Sequence, residues 1–398
     1  AHEPARRDYL WAYARALRGA RYDYELRAGS LYEAIYQSED RGDRVDAARL
    51  RAKQQALLDR ERWAELELER VLRALLSGPP RCELPRAEMY TELALSLARR
   101  ELADQVALVA AEMLEVCARS RHRALVHLLL ADALADTRPA EARPHYDEVA
   151  ARGDGLLRAY ALYRRALLRL DARESEAALA DLIAVVRVSN NHARGVQHSP
   201  RASLLRSAAL RVVPWAFAAS RPARAALPLF ERLTEESDTS TRMATATADV
   251  YRLLDDPASS AELYAQLLAR EPADIHACDW RYGWALDQMA RGDDATRWRA
   301  LVSLRDEAAR SDARDLPRRF TRSCHYHAGN LAAALALQWH ARGLATRDPV
   351  TLARAARAYR LCLSNFAHVL NLAAVAADYD RLERGEPPQR ALRHGAAF

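Results

Sequence analysis

Apolar residues recur every three or four positions along most of the chain, which is the spacing of one face of an α-helix. The clearest stretch runs through residues 241–274. In it two small residues, Ala248 and Ser260, stand 12 positions apart, and the larger Tyr264 and Leu267 follow the second by four and seven positions. Two antiparallel helices approach closely only where their contact residues lack bulk, so this spacing predicts a packed helix pair.

The same arrangement recurs, which predicts an array of about six or seven helix pairs instead of separate domains. Ala166 and Ala178 also stand 12 positions apart, with Leu182 and Val185 at the four- and seven-residue positions. Pro ends the second helix of a unit, since it cannot donate a helical hydrogen bond, and Gly-Asp pairs suit the turn between two helices. Further positions that match the pattern are Ala94, Val106, Ala131, Ala142, Tyr146, Ala226, Phe230, Leu233, Ala285, Ala355, Tyr359 and Cys362.

The regularity of this pattern divides the chain into three predicted segments. Residues 1–80 should form an N-terminal helical hairpin or cap, because a long helical stretch, a turn at Gly42 and Asp43, and a second stretch without Gly or Pro follow one another. Residues 86–310 carry the regular repeats. Residues 317–384 hold a degenerate repeat and capping helices.

Two polar segments depart from the helical period. Residues 189–203 are rich in Ser, Asn and His, and we expect them to form a loop between repeats. Residues 385–398 contain Pro387 and Pro388 and are expected to fray at the end of the chain.

The composition supports an all-α fold. Half of the residues are hydrophobic, and the residues that dominate, Ala, Leu, Arg and Glu, are strong helix formers. The formal net charge is +6, but Asp and Glu are interleaved with Arg throughout, so the charge pattern disfavours nucleic acid as a partner. No apolar run reaches the length of a membrane span.

With two small residues at the helix crossing, an aromatic residue in the second helix and Pro272 closing the unit, the pattern resembles the tetratricopeptide repeat superfamily. The resemblance implies a right-handed superhelical solenoid of helix pairs. It also implies a scaffold for other proteins, in which each repeat contacts only its neighbours.

Two stretches show a narrower resemblance. Residues 160–163, running into the unit of Ala166, and the segment from Trp339 through residues 353–366 are similar to large repeat proteins of the myxobacterial cell envelope, including proteins associated with gliding motility. This implies a multi-subunit complex in the periplasm or at the outer membrane, with the cytoplasm as the alternative. A lipid anchor upstream of the given sequence is compatible with such a location.

No catalytic or nucleotide-binding motif is recognisable, so we expect no enzymatic activity and no cofactor. The nearest approach to a metal site is Cys324, His325 and His327, with Cys362 and His368 as further candidates. On a regular helix His325 and His327 point about 200° apart, so surface and core positions are the simpler interpretation. A helical-repeat metal-binding protein or enzyme is the second hypothesis, and a nucleic-acid-binding or signalling regulator is the third.

Two interpretations of the five cysteines remain open. They are widely spaced, and their odd number excludes complete pairing within the chain. They could be buried small hydrophobic residues. In an oxidising compartment, the pairs closest in sequence, Cys82 with Cys117 and Cys324 with Cys362, could form disulfides.

The first helices of the repeats should line the partner-binding groove. Their inward-facing positions are predicted to be Tyr160, Tyr163, Arg211, Trp215, Arg242, Asp249 and Arg252. Aromatic and Arg residues are favoured at interaction hot spots, although the aromatic ones could instead pack between repeats. Arg318, Arg319 and Arg322 form a basic run, which is either a patch for an anionic partner or a solvated helix face.

Overall fold

The computed structural model describes residues 3–78, 82, 84–193, 199–234, 236–314, 316–366 and 371–389. Within those residues the secondary structure is α-helix with one 3₁₀ turn at residues 223–225, and no strand occurs. The chain packs as two compact units, residues 1–173 with 188–206, and residues 174–187 with 207–398. The fold class is all-α, as predicted.

The helices alternate with short connections along the whole described chain. Those before residue 173 are α1 (Glu3–Gly29), α2 (Leu31–Asp40), α3 (Arg44–Leu76), α4 (Leu84–Arg99), α5 (Ala103–Val116), α6 (Arg123–Leu134), α7 (Pro139–Arg152) and α8 (Gly155–Asp171). The later ones are α9 (Ser175–Ala193), α10 (Pro200–Ala218), α11 (Ala226–Thr234), α12 (Ser237–Leu253), α13 (Pro257–Arg270), α14 (Ala277–Arg291), α15 (Asp294–Ala313), α16 (Arg318–Thr346), α17 (Pro349–Asn365) and α18 (Leu372–Glu383).

The first unit opens with three helices, of which α1 and α2 pack against α3. Gly42 takes a positive φ of 76° at the turn, and the Asp43 side chain accepts a hydrogen bond from the backbone N–H of Asp46 to cap α3. Along the pair, the Gln54 amide donates to the carbonyl of Ala28, and the Arg21 guanidinium lies 3.3 Å from Glu65. These polar contacts therefore hold the two long helices in register beside their apolar interface.

The positions that the spacing marked as contact residues lie in the core. The small residues Ala94, Ala131 and Ala142 in the first unit, and Ala248 and Ser260 in the second, each expose 0% of their surface. The aromatic residues of the second helices, Tyr146, Phe230, Tyr264 and Tyr359, expose 3% or less. The chain is thus built from packed helix pairs with small residues at the crossings.

Acidic or amide side chains begin four of the helices in the second unit. Asp256, Asp293, Asp348 and Asn371 each accept a hydrogen bond from a backbone N–H in the first turn of α13, α15, α17 and α18, respectively. A capping side chain of this kind satisfies backbone donors that the helix itself leaves unpaired. The Gly-Asp pair at Gly292 is one of these starts, as the turn prediction implied.

Two expectations about polar segments were wrong in part. Residues 189–193 continue α9 and residues 200–203 begin α10, because the buried Ser189 and Ala202 extend the apolar faces of these helices. Residues 385–389 do not fray: His340 donates from Nε2 to the carbonyl of Glu386 at 2.9 Å, and the N–H of Gln389 donates to Asp378 at 2.7 Å. The rest of the two segments, residues 194–198 and 390–398, lies outside the described residues.

The cysteines form two disulfides, one of which is a pair that the sequence left open. Cys82 and Cys117 are bonded, with their Cα atoms 5.1 Å apart. Cys324 is bonded to Cys278, with a Cα–Cα distance of 5.7 Å, so the pairing with Cys362 was wrong. His325, one residue later on α16, faces α17, with its ring 6.3 Å from that of Phe366. Cys324 therefore points about 100° away, toward α14.

Candidate functional site

The seven residues predicted to line a groove all lie on α8, α10 and α12, the first helices of their pairs. Tyr160 and Tyr163 belong to the first unit, and the other five to the second. Some of these side chains are bonded within the fold, and others are exposed and available to another molecule.

In the first unit, Tyr160 joins a polar cluster around Asp132. The Tyr146 hydroxyl donates to Asp132 Oδ1 at 2.5 Å, and Arg164 Nε lies 3.2 Å from the same oxygen. Burial raises the pKa of Asp132, although Tyr146 and Arg164 act in the opposite direction. Burial and the Asp132 charge raise the pKa of Tyr160, and 36% of this side chain stays exposed. Tyr163 is half-buried on the same helix.

In the second unit, Arg252 and Asp249 join an equivalent cluster. The Tyr264 hydroxyl donates to Asp249 Oδ1 at 2.6 Å. Arg252 donates to Asp287 Oδ1 at 2.7 Å and to the carbonyl of Gly283 at 2.9 Å. The Asp287 carboxylate is 1% exposed, and its burial raises its pKa while Arg252 lowers it. These contacts connect α12, α13 and α14, so Arg252 mainly holds neighbouring repeats together.

The two clusters share one sequence rule that the spacing analysis missed. Asp132 and Asp249 each follow the small residue of their first helix by one position, and Tyr146 and Tyr264 each follow that of the second helix by four. The tyrosine ring packs at the crossing while its hydroxyl reaches the aspartate. An Asp directly after the small residue, paired with Tyr instead of Phe, is the signal that could have revealed both clusters.

Arg211 and Trp215 have a different environment. They lie four residues apart on α10, so they share one helix face. Both are exposed, Trp215 to 46%. In the described part of the chain, neither side chain has a hydrogen bond or an ion pair. Arg242 is also exposed, but its guanidinium bonds within α12, to Thr239 and to the carbonyl of Asp238. Trp215 is therefore not packed between repeats, which was the alternative for this residue.

The Cys324–His327 region does not assemble a metal site. Cys324 is in a disulfide, so it cannot supply a thiolate. His325 Nε2 bonds Asp312 at 2.9 Å, while His327 stacks on Tyr282 with ring centroids 4.1 Å apart. No group of three or more His, Cys, Asp or Glu side chains among the residues with described positions could hold a metal ion. His368 lies outside them.

The basic run begins α16 and is solvent-exposed. Arg318, Arg319 and Arg322 line a surface concavity of about 450 Å³ together with Ser323 and Tyr326. Tyr326 is 55% exposed, and the Arg319 guanidinium lies 4.8 Å from the ring centroid of Phe320. None of the described helices has the length and apolarity needed to cross a membrane.

Neither a family model nor a curated protein matches the chain. Among solved structures, it is similar to a tetratricopeptide repeat protein from Parabacteroides merdae, with 14% identity over 76% of this chain and 98% of that one, and a TM-score of 0.32. It is also similar to human IFIT1 with m7Gppp-AAAA, with 14% identity, 88% and 80% coverage, and a TM-score of 0.26. These TM-scores are low, and the all-α repeat architecture is established by the helix pairs described above.

Proposed function

We propose that this protein is a non-enzymatic scaffold that binds other proteins through the first helices of its repeats. The observation that carries the proposal is the exposed pair Arg211 and Trp215 on α10. Trp and Arg are the residue types most enriched at interaction hot spots, and an exposed Trp side chain gains most from burial against a partner. Both side chains stand on a helix whose own apolar face is fixed in the core, so little order is lost on binding.

The internal polar clusters support this proposal. Asp132 with Tyr146, and Arg252 with Asp287, connect successive helices and so fix the positions of the first helices relative to their neighbours. A surface that is rigid before binding loses less conformational entropy when the partner binds. Because they belong to these clusters, Tyr160, Asp249 and Arg252 present only part of their side chains to a partner. We place the centre of the binding surface of the second unit at Trp215.

The proposal extends to a multi-protein assembly at the bacterial cell envelope, such as a motility machine. Two disulfides, Cys82–Cys117 and Cys278–Cys324, support it, because disulfides persist in oxidising compartments such as the periplasm and are rare in the cytosol. The sequence resemblance to myxobacterial envelope repeat proteins supports the same location. A lipid anchor upstream of the given sequence would hold such a scaffold at the membrane surface.

Affinity capture from the native cell tests the scaffold proposal. The tagged full chain is compared with Trp215→Ala, Arg211→Ala and the matched control Trp63→Ala, which removes a Trp that is 58% exposed from α3. We expect a fixed set of proteins to be recovered with the wild type and the control and to fall by about tenfold with Trp215→Ala. Recovery that is the same for all four chains would contradict the proposal.

Thiol labelling tests the location separately. Two disulfides among five cysteines leave one thiol to react when the native chain is unfolded without reductant. Alkylation of whole cells followed by mass spectrometry should therefore find one labelled cysteine per chain. Five labelled cysteines would contradict an oxidising compartment while leaving the scaffold proposal standing.

A further inference from the structure

The first turns of α16 carry three exposed arginines close together in the sequence. From residue 316 to residue 347 the sequence contains no Asp or Glu, and α16 carries four Arg residues. Arg342, near its C-terminal end, pairs with Asp294. Arg318, Arg319 and Arg322 are exposed and have no ion pair within the described chain.

This arrangement is unfavourable for the isolated protein. The N-terminus of a helix has a partial positive charge, so basic residues in its first turns are disfavoured. Arg318 and Arg322 are also four residues apart, where like charges repel. Arg252 of the same unit, in contrast, is paired with the buried Asp287. A local rule broken without compensation in the described part of the chain indicates a site for a ligand that compensates it.

The side chains around these arginines suit a peptide. Arg318, Arg322 and Tyr326 recur at four-residue intervals and so lie along one face of the helix. Tyr326 adds a ring that is 55% exposed, while the Ser323 hydroxyl is hydrogen-bonded to His327 at 3.2 Å. The stretch from residue 318 to residue 326 is about 12 Å long at 1.5 Å per residue, which is the length of about four extended peptide residues.

The flanks of the basic face argue against a long polyanion. On one side Asp312 is held by His325 at 2.9 Å, and its side chain is 55% exposed. On another side Asp279 bonds His276, whose ring lies 5.9 Å from that of Phe320. These carboxylates repel a polyanion that extends beyond the arginines, so a short acidic segment is favoured over a continuous phosphate backbone.

We propose that the basic face of α16, formed by Arg318, Arg319, Arg322 and Tyr326, binds a short acidic peptide segment of a partner protein. The carboxylates of the segment would accept hydrogen bonds from the guanidinium groups, which bind carboxylates through two parallel N–H donors. This inference rests on the proposed scaffold function and names the chemistry of one partner. It adds a second contact surface to the one centred on Trp215.

Fluorescence anisotropy with the full chain tests the proposal, with a fluorescein-labelled octapeptide of glutamate as the probe and an octapeptide of glutamine for comparison. Arg318→Glu/Arg322→Glu is compared with Arg224→Glu/Arg232→Glu, two exposed arginines of the second unit that give the same change in net charge. We expect the glutamate peptide to bind, to weaken by at least about tenfold with the first variant, and to change less than about twofold with the control.

Three outcomes would overturn the inference: no saturable binding of the glutamate peptide, equal weakening by both variants, or tighter binding of a single-stranded oligothymidine through the same arginines. The capture experiment with Trp215→Ala distinguishes these from a failure of the scaffold function. If capture through Trp215 persists while the glutamate peptide does not bind, the inference about α16 fails alone.

Discussion

Single residues decide whether a first helix is available to a partner. Arg252 and Trp215 were both predicted to face the groove, and both lie on first helices. Arg252 is bonded to the buried Asp287 and to the Gly283 carbonyl, whereas Trp215 is 46% exposed. The type of residue does not separate them. What distinguishes Arg252 is its bond to Asp287, which is 35 residues away in the sequence. Such a pairing depends on how the repeats stack.

The Arg252–Asp287 pair gives a stability prediction. Arg252→Met should lower the free energy of unfolding by about 3 kcal/mol, because it leaves the buried carboxylate of Asp287 without its partner. The double variant Arg252→Met/Asp287→Leu should recover part of this loss. Urea denaturation measures both. Arg242→Met, on the exposed face of the same helix, is the control and should cost less than about 0.5 kcal/mol; an equal cost would contradict an internal role for Arg252.

The histidine pair His127 and His145 gives a pH prediction. Their Nδ1 atoms lie 2.9 Å apart, and burial, followed by the neighbouring His145 and Arg123, lowers the pKa of His127 to about 4. The usual value is about 6.5, so between these pH values the unfolded chain binds more protons, and stability should fall as the pH drops through this window.

His127 alone should account for a loss of about 2 to 3 kcal/mol between pH 7.5 and pH 4.5. His127→Gln should remove most of that pH dependence while His122→Gln, on the same unit, should not. Urea unfolding at the two pH values measures the difference. A His127→Gln chain that loses stability as steeply as the wild type would show that this pair is not the titrating group.

At the scale of helices, the spacing of small residues predicted most of the pairs. Each contact depends only on residues within one pair, and a 12-residue interval fixes where two helices cross. The end of α9 and the start of α10 were not predicted, because their polar composition suggests a loop while Ser189 and Ala202 are buried. The pairing of Cys324 was missed for the same reason as that of Arg252, since α14 and α16 meet only after the repeats stack.

Gly283 marks a helix contact that the spacing analysis did not identify. A Cβ atom at this position would lie 2.5 Å from Cζ of Tyr264, so the ring that packs at the previous crossing needs the glycine. Gly283→Ala should destabilise the protein by about 1 to 3 kcal/mol despite the better helix propensity of Ala. Gly19→Ala in α1 meets nothing within 4 Å and should instead stabilise it by about 0.5 to 1 kcal/mol.

Thermal unfolding of the two alanine variants measures this contrast in sign. A compensating change makes the comparison stricter: Tyr264→Leu should remove the clash and make Gly283→Ala close to neutral. If Gly283→Ala raises the unfolding temperature as Gly19→Ala does, the result would contradict close packing of Tyr264 against Gly283.

At the scale of the whole molecule, the disulfides stabilise the protein in addition to the contacts between neighbouring helices. The Cys278–Cys324 bond closes a loop of 46 residues, and cross-linking a loop of this length restricts the unfolded chain enough to contribute about 3 to 4 kcal/mol. Dithiothreitol, or Cys278→Ser/Cys324→Ser, should therefore lower the unfolding temperature by several degrees. A chain lacking both cysteine pairs should no longer respond to dithiothreitol. An unfolding temperature of the wild type that dithiothreitol leaves unchanged would contradict a structural role for these bonds.

The partner-binding role of the first helices is the central claim, and photocrosslinking in the native cell tests it most directly. A benzophenone amino acid replaces Trp215 on α10 or, as the control, Val350 on α17, a second helix whose Val350 is 55% exposed. The account predicts that the Trp215 position crosslinks to a distinct partner protein and that the Val350 position does not. Equal crosslinking at both positions, or none at Trp215, would contradict it.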